Sequence, residues 1–469
     1  MPSARLPVLV LLAPLACTGC IARNLHSPMD SPITAPQGWS SQAEAEDTRA
    51  PDRWWVAFGD PGLDGLIDRA LDASLDLKEA RARAAQASAA SQIAGASAWP
   101  QLTAGAEGSR VKLPAPSGLP SSASDPKSSF GVDLKAGYEV DLWGKNEAAR
   151  QAASLDAAAA AESVRAAAEI IASRLADTWF KLAEAQARLA LLEEQAKTSK
   201  TYLQLVTRRF DTGLASLLAV RQQRQQLLRI DARLPLVRSE IDSLKLQLSV
   251  LAGRTPSTGV GAPTSLPAPP PMPALGVPSE LLTRRADLRA ARRRIEAQDR
   301  RVAAAIADRF PTLRLSVRAG LTGGTLSALV DGFLWSLGAD LAAPLMDGGR
   351  RAAEVERNKA RLEELLAAYG KTLLQALLEV EGALRREAGL ADHIVGSERQ
   401  LEAAQAVLDE ARARYQRGIG EFFPVLDALR RRQEAEVSLL SARGRRISER
   451  VRLYGALGGN WTEKELAAK

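Results

Sequence analysis

The side chains that could perform catalysis or bind a metal ion are few and scattered. The sequence has two histidines, His26 and His393, and neither lies near a second ligand or a nucleophile at the spacing that a zinc site or a catalytic triad requires. The acidic pairs Glu193-Glu194 and Glu363-Glu364 fall within helical patterns, where a solvated helix face accounts for them. We therefore expect no enzyme activity, no metal site and no cofactor.

Cysteine chemistry is confined to the N-terminus. Residues 1–19 have a basic residue, Arg5, near their start, followed by an apolar run and then small residues. This is the pattern of a secretory signal. Cys20 directly follows Gly19, which predicts a lipid-attachment site at Cys20. Lipidation at Cys17 and a conventional signal without lipid are the two alternatives. No later stretch approaches the roughly 20 apolar residues of a membrane helix.

The net charge does not indicate a nucleic-acid partner. The chain has 62 basic and 55 acidic side chains, a formal charge of +7. A basic surface attracts phosphates, but here the two signs are interleaved along helical patterns, as in residues 398–417. The sequence has no zinc-finger spacing, RNA-recognition signature or compact basic arm, so we expect no nucleic-acid binding.

The elements that would position functional residues recur in two halves of the chain. Each half predicts a helix (about 61–98 and 278–309), two strands, a very long helix, a glycine turn and a return helix. We divide the chain into a signal peptide (1–19), an extended segment (20–60), a first repeat (61–255), a proline-rich linker (256–277), a second repeat (278–460) and a tail (461–469).

Four stretches alternate between apolar and polar residues. The clearest are residues 130–143 and 309–321, and weaker partners begin at Gln101 and Phe333. Alternation with a period of two places apolar side chains on one face of a strand and polar side chains on the other. Strands of about ten residues also match the length needed to cross a bilayer at a tilt.

The polar face of these strands predicts a water-filled space. Four strands cannot close a barrel around a pore, so a pore requires strands from several copies of the chain. In such a barrel the lumen would be lined by Asp133, Lys135, Arg314, Arg318 and Asp340. A soluble four-stranded sheet with one wet face is the alternative.

Two proline-free stretches, residues 145–210 and 350–415, predict helices about 100 Å long. In the first, apolar residues from Leu175 to Phe210 recur at steps of three and four, as in a coiled coil. Gly213 and Gly418 follow at matching positions and predict helix ends.

Return helices come after both turns. They are predicted over 216–252, with an interruption at Pro235, and over 424–457. The sequence therefore predicts two long helical hairpins.

Several motifs resemble a known family. They are WWVAFGDPGLDGLIDRAL from Trp54, YEVDLWGKNEAARQAA from Tyr138, VPSELLTRRADLRAARRRI from Val277, FPTLRLS from Phe310, APLMDGGRRAAEV from Ala343 and LYGALGGNW from Leu453. Over residues 20–461 the chain resembles the TolC-like outer-membrane efflux factors, in particular the OprM/NodT-type lipoprotein branch of resistance-nodulation-division (RND) efflux systems. Ala286 stands where that branch usually has proline, which is expected to loosen the start of its helix.

The resemblance implies a mainly α fold with transmembrane β-strands. Three copies would form a twelve-stranded β-barrel, four strands from each, continued by a long periplasmic α-helical barrel. The implied function is that of an exit duct that passively conducts substrates across the outer membrane. Its implied partners are a periplasmic adaptor and an inner-membrane RND-type pump, and Cys20 would carry the lipid anchor, including palmitate.

The resemblance also implies a gate and a docking surface. By position, Asp427 and Glu421 match acidic gate sites after the second turn, and Pro424 is a departure. The implied adaptor-docking residues are those of the two turns: Gly213, Leu214, Ala215, Gly418, Ile419 and Gly420. The alternatives are an ordinary exposed helix residue for Asp427 and a plain helix stop for the glycines.

Two other protein classes remain as alternatives. A periplasmic adaptor would carry one hairpin, whereas this sequence predicts two. A purely structural coiled-coil protein would have no need for strands with a wet face.

Overall fold

The structure, a computed structural model, describes residues 33–34, 36–39, 53–112 and 126–458. The predicted signal peptide, Cys17, the predicted lipid site at Cys20 and the tail 461–469 lie outside the described residues.

The described ranges form helices and strands in an order that recurs between the two halves. In chain order they are α1 (Pro61–Ala73), α2 (Leu75–Ala96), β1 (Gln101–Val111), β2 (Lys127–Val140), α3 (Lys145–Asp211), α4 (Leu217–Asp231), α5 (Leu234–Leu251), α6 (Leu281–Arg284), α7 (Ala286–Ala307), β3 (Thr312–Gly323), β4 (Phe333–Ala342), α8 (Arg350–Gln416) and α9 (Phe422–Leu457). The long helices α3 and α8 have 67 residues each, so the prediction of two long hairpins is confirmed. The interruption at Pro235 is confirmed as well, because proline opens α5.

The first helix of each half is broken, which the sequence prediction missed. Ser74 (φ −55°, ψ 129°) separates α1 from α2, and Arg285 (φ −77°, ψ 122°) separates α6 from α7. Arg285 is held by ion pairs to Asp287 and Glu379, both at 2.7 Å. Unbroken helices over 61–98 and 278–309 were therefore the wrong prediction. At Arg285 the ion pair with Glu379 is a tertiary contact that overrides local propensity. Helix α7 nevertheless starts at Ala286 itself.

The chain separates into two compact units, each built from both halves. One unit contains residues 83–160 and 290–369, and the other contains residues 53–82, 161–289 and 370–458. The units therefore do not coincide with the repeats.

The first unit contains the four predicted strands as one antiparallel sheet in the order β1-β2-β3-β4. The register places Lys135 opposite Arg318, and Arg314 between Glu139 and Asp340. Because directly opposite residues share a face, these charged side chains all lie on one face of the sheet. The other face is apolar and largely exposed, with Leu102, Val132, Leu134, Leu315, Val317, Phe333, Trp335, Leu337 and Leu341.

The ends of the sheet are fixed to the helices that follow it. Trp143, after β2, donates from Nε1 to the carbonyl of Pro311 at 2.6 Å and stacks on Phe310 at 4.9 Å between ring centroids. Asp308, at the end of α7, lies 3.1 Å from the guanidinium of Arg351 in the first turn of α8. The starts of α3 and α8 are thus positioned by contacts with the strand ends.

The second unit has an aromatic core. Trp54 is buried, stacks on Tyr454 at 5.7 Å between centroids and donates to Glu169 at 2.8 Å. Trp179 of α3 donates to Asp60 at 2.7 Å, and Asp60 also caps the N-terminus of α1. The WWVAFGD motif is therefore part of the packed interior.

The proline-rich linker follows an irregular path but is tightly packed. Pro263, Pro270 and Pro273 are buried. Arg450 of α9 donates to the carbonyl of Pro270 and also to both carboxylate oxygens of Glu387, with bonds of 2.9 and 3.1 Å from Nε. The linker is therefore held against the helices rather than suspended between them.

Within the described ranges, no helix combines the length and the apolar character needed to span a bilayer.

Candidate functional site

The turns at the ends of the two hairpins have the same backbone geometry. Gly213 (φ +71°) and Gly418 (φ +78°) are both left-handed, a conformation that glycine adopts without steric cost. The N–H of Leu214 donates to the carbonyl of Arg209 at 2.7 Å, and the second turn has the equivalent bond at 3.2 Å. Both long helices therefore end in a Schellman-type stop, as predicted.

The predicted docking residues expose apolar side chains. Leu214 and Ile419, one in each turn, are 72% and 70% exposed, and Ala215 is half-buried. Gly420 packs against Arg414, where an added Cβ would lie 3.4 Å from the Arg414 side chain. The contacts of a single chain therefore leave one apolar side chain exposed in each turn.

A shared hydrophobic cluster lies beneath both turns and brings them together. Its buried members are Val206, Ala219, Val220, Leu408, Tyr415, Phe422, Val425, Leu426, Ala428 and Leu429. The guanidinium of Arg209 lies 4.3 Å from the ring centroid of Tyr415 and donates to the Tyr415 carbonyl at 3.1 Å. This cation–π contact and hydrogen bond connect the first turn to the second.

Sequence reasoning missed the contact between Arg209 and Tyr415. The available signal was the matched Arg-aromatic pair before each glycine, Arg209-Phe210 and Arg414-Tyr415. Phe210 was predicted to be part of the coiled-coil seam, but it is 39% exposed, whereas Tyr415 is 7% exposed. The two turns therefore differ in which aromatic side chain the contacts of one copy bury.

Asp427, the first candidate gate residue, is an ion-paired side chain. Its carboxylate accepts from Arg431 and from Arg430, both at 2.7 Å. The hydrogen bond from Arg431, supported by Arg430, holds the pKa of Asp427 below its ordinary value. Asp427 therefore stays ionised near neutral pH, with two cations beside it.

Glu421, the second candidate gate residue, immediately precedes α9. It is exposed, has extended backbone angles (φ −77°, ψ 164°) and makes no side-chain capping hydrogen bond. At the matching position of the first turn, Ser216 caps α4 by accepting from the N–H of Ala219 at 3.2 Å. Pro424, in the first turn of α9, occupies a position where proline leaves the helix intact.

Glutamine side chains form a buried polar contact between the two hairpins. Gln226 of α4 donates to the Gln433 side chain of α9 at 3.0 Å, and Gln195 of α3 donates to the Gln433 carbonyl at 3.1 Å. Gln223 donates to the carbonyl of Ser199 at 2.9 Å. The sequence analysis did not identify this network, although Gln223 and Gln226 share a helix face by their spacing.

The polar face of the sheet carries paired charges. Asp133 accepts from Arg318, and its carboxylate lies 3.2 Å from Lys135. Gly320 lies directly opposite Asp133, and glycine is needed there because an added Cβ would fall 2.5 Å from the backbone oxygen of Val132. The predicted lumen residues are therefore neighbours, and a space of about 730 Å³ borders Lys135, Arg314 and Arg318.

The described residues contain no group of His, Cys, Asp and Glu side chains arranged to hold a metal ion.

Comparison with protein families finds one matching model, described as outer membrane efflux protein. It matches residues 66–254 and 277–459. Among curated proteins, the pyoverdine export outer membrane protein OpmQ of Pseudomonas aeruginosa is 35% identical over 448 residues, covering 93% of each chain. The toluene efflux pump outer membrane protein TtgF of Pseudomonas putida is 28% identical and covers 95% of each chain.

Solved structures with the same fold are outer-membrane channels. The channel OprN superimposes with a TM-score of 0.87 at 28% identity, over 92% of this chain and 98% of that chain. The outer membrane protein VceC of Vibrio cholerae superimposes with a TM-score of 0.80 at 28% identity, over 88% and 100% of the two chains.

Proposed function

Because the chain belongs to the outer membrane efflux protein family, we propose that it is the outer-membrane exit channel of a tripartite efflux pump. Its role is transport, and the proposal includes no catalytic step. The channel passively conducts substrates delivered by a periplasmic adaptor and an inner-membrane RND-type pump. Curated relatives named as outer-membrane components of efflux pumps support this assignment.

The observation that carries the proposal is the open four-stranded sheet. Within the described chain, β1 and β4 each have a strand neighbour on one side, so each leaves one edge unpaired. An unpaired edge in lipid is unfavourable, because every backbone polar group there needs a partner. In the proposed homotrimer, β4 of one copy pairs with β1 of the next and closes a twelve-stranded barrel.

The two faces of the sheet have the chemistry that such a barrel needs. The exposed apolar face, which includes Phe333, Trp335 and Leu337, would contact lipid. The charged face, with Asp133, Lys135, Arg314, Arg318 and Asp340, would line the lumen. The contacts of a single copy leave the apolar face exposed.

The two hairpin turns are the proposed docking surface for the adaptor. Leu214 and Ile419 supply exposed apolar contacts on a rigid base, because the cluster beneath them and the contact between Arg209 and Tyr415 fix the turns. Preformed turns reduce the entropy lost on binding. Gly213, Ala215, Gly418 and Gly420 shape the backbone that presents these side chains.

Asp427 and Glu421 are the proposed periplasmic gate. Threefold symmetry would place each carboxylate three times around the axis, so a change in one residue acts on the whole ring. Replacing both residues with alanine is expected to raise the passive conductance of the trimer in planar bilayers. The charge-matched control replaces two exposed acidic residues of α8, Asp409 and Glu402, with alanine. Unchanged conductance in the double variant of Asp427 and Glu421 would reject this gate.

The lipid anchor at Cys20 places the mature protein in the outer membrane with its helices in the periplasm. Cys20→Ala tests this point by the loss of acyl mass from the membrane-extracted protein. Acylation that persists in Cys20→Ala and disappears in Cys17→Ala would move the site to Cys17.

The channel assignment itself is tested by extraction and conductance. Detergent-extracted protein is expected to have the mass of three copies and to form ion-conducting pores in planar bilayers. A mature protein recovered as a freely soluble monomer from periplasmic extract would refute the proposal.

A further inference from the structure

Helix α9 contains an arginine-rich stretch that the channel assignment leaves unexplained. Residues 443–452 contain five arginines and one acidic residue, Glu449. Arg450 is buried against Glu387, and Arg443 pairs with Glu398 at 2.7 Å. These pairs account for part of the charge but leave Arg445 and Arg452 on the exposed side of the helix.

Arg445 and Arg452 border a cavity of about 410 Å³ between α3, α8 and α9. Lys181 of α3 and Arg386 of α8 border the same cavity, together with the acidic residues Glu184 and Glu449. Four cationic and two acidic side chains from three helices therefore surround one space within the second unit.

The acidic side chains do not balance the cations. The buried carboxylate of Glu449 is shared by Arg386 at 2.9 Å and Arg452 at 2.6 Å. The second acidic side chain, Glu184, is partly buried, and this burial raises its pKa. Lys181 is also paired with Asp177 at 2.6 Å, so the four cations face three carboxylates and the excess is one positive charge.

Arg445 has its hydrogen-bonding capacity available. Within the described part of the chain, Arg445 donates one long hydrogen bond, from Nε to the carbonyl of Ser441 at 3.4 Å. Both terminal nitrogens of its guanidinium remain able to bind an anion. A guanidinium presents parallel N–H groups that match a carboxylate or phosphate in a bidentate manner.

Glycine at two positions shapes the cavity. Gly389 lines it, and an added Cβ there would meet no atom within 4 Å, so this position opens onto empty space. Gly444 lets the Glu184 side chain lie against α9, since a Cβ there would fall 2.5 Å from Glu184 Oε2.

The geometry points to a binding site for a multivalent small anion in this cavity, one that carries phosphate or carboxylate groups and bridges Arg445, Lys181 and Arg386. Several charges are needed because the four basic side chains are exposed and single ion pairs in water are weak. This site is separate from the turns and the sheet, and its test does not depend on conductance.

The first test is calorimetric titration of the purified full-length protein with sodium tripolyphosphate. Arg445→Gln is expected to weaken binding about tenfold, the effect of losing one charge-assisted bidentate contact. Arg399→Gln, an exposed arginine on α8 away from the cavity, is the matched control and is expected to bind as the parent does. Equal weakening by both variants would show nonspecific attraction and overturn the inference.

A second variant tests whether binding needs the open space of the cavity as well as its charged side chains. Gly389→Leu fills the open space while every charge remains, and leucine favours a helix more than glycine does. Binding is expected to be lost, with the helical circular dichroism and oligomer mass unchanged. Undiminished binding in Gly389→Leu, or no binding by the parent protein, would reject the site.

The source of the anion is settled by a competition arm. Tripolyphosphate binding is measured again in nanodiscs with and without phosphatidylglycerol. Unchanged binding assigns the site to a soluble anion. If phosphatidylglycerol competes with tripolyphosphate in the parent protein but not in Arg445→Gln, the site binds a lipid headgroup. If the lipid still competes in Arg445→Gln, the result counts against a specific site.

Discussion

Replacing Glu387 with alanine is expected to destabilise the protein strongly. Glu387 and Arg450 are 2% and 4% exposed, and Arg450 Nε lies 2.9 Å from one carboxylate oxygen and 3.1 Å from the other. Removing one partner of a buried ion pair leaves an uncompensated charge and costs about 3–5 kcal/mol. We expect the lower end of this range, because Arg450 keeps its hydrogen bond to the Pro270 carbonyl.

The same two helices supply a matched control. Glu398 of α8 pairs with Arg443 of α9 at 2.7 Å, but these side chains are 47% and 53% exposed. A solvated pair of this kind contributes about 0–1 kcal/mol, so Glu398→Ala should change stability little. The double replacement of Glu387 by leucine and Arg450 by methionine should cost less than Glu387→Ala, because it removes both charges and keeps the volume. The interaction that this double variant loses is the hydrogen bond to the Pro270 carbonyl.

Two measurements check this prediction. Urea unfolding followed by tryptophan fluorescence gives the difference in unfolding free energy between the two alanine variants. Limited trypsin digestion reports on the linker, because Arg254 is exposed at its start and Arg450 holds the linker at Pro270. Cleavage after Arg254 should be faster in Glu387→Ala than in Glu398→Ala, because the less stable variant opens more often even though Arg450 keeps its bond to Pro270. Equal stability losses in the two variants, with no change in cleavage, would refute the reasoning.

Two further predictions concern docking and pH. Leu214→Asp should weaken binding of the purified trimer to its adaptor at least tenfold by surface plasmon resonance, whereas Leu236→Asp, equally exposed on α5, should leave binding unchanged. Burial raises the pKa of Glu184 above its ordinary value of 4.5, so its contribution to stability is present below that value and is lost as the pH rises through the raised pKa. As the pH rises from about 4, the unfolding midpoint of the parent protein should therefore fall more than that of Glu184→Gln, and parallel pH profiles would contradict the shift.

Regular periodicity explains why much of the fold could be predicted. Alternation with a period of two identified all four strands, and the absence of proline identified α3 and α8 to within about two residues. Gly213 and Gly418 identified the helix ends, because a left-handed residue there favours glycine. These features depend on local sequence, which is why they could be predicted from it.

The features that could not be predicted depend on tertiary contacts. Ser74 and Arg285 break their helices without glycine or proline, and Arg285 does so while paired to Glu379, far along the chain. The linker composition indicated an irregular path but not the carbonyl at Pro270 that accepts from Arg450. Partners separated by many residues leave no pattern in a single sequence.

Residues that differ between matching positions of the two repeats indicate which side chains the fold alone does not require. Aligning Gly418 with Gly213 places Glu421 opposite Ser216 and Asp427 opposite Gln222. Ser216 caps its helix, whereas Glu421 makes no capping bond and exposes its carboxylate, so local helix stability does not explain the acidic residue. The glycines, which both turns need, recur in both halves, while the acidic residues occur only in the second. In the proposed trimer, a gate built from Glu421 and Asp427 would therefore be formed by the second hairpin of each copy. The first hairpin would contribute no acidic residue to this gate.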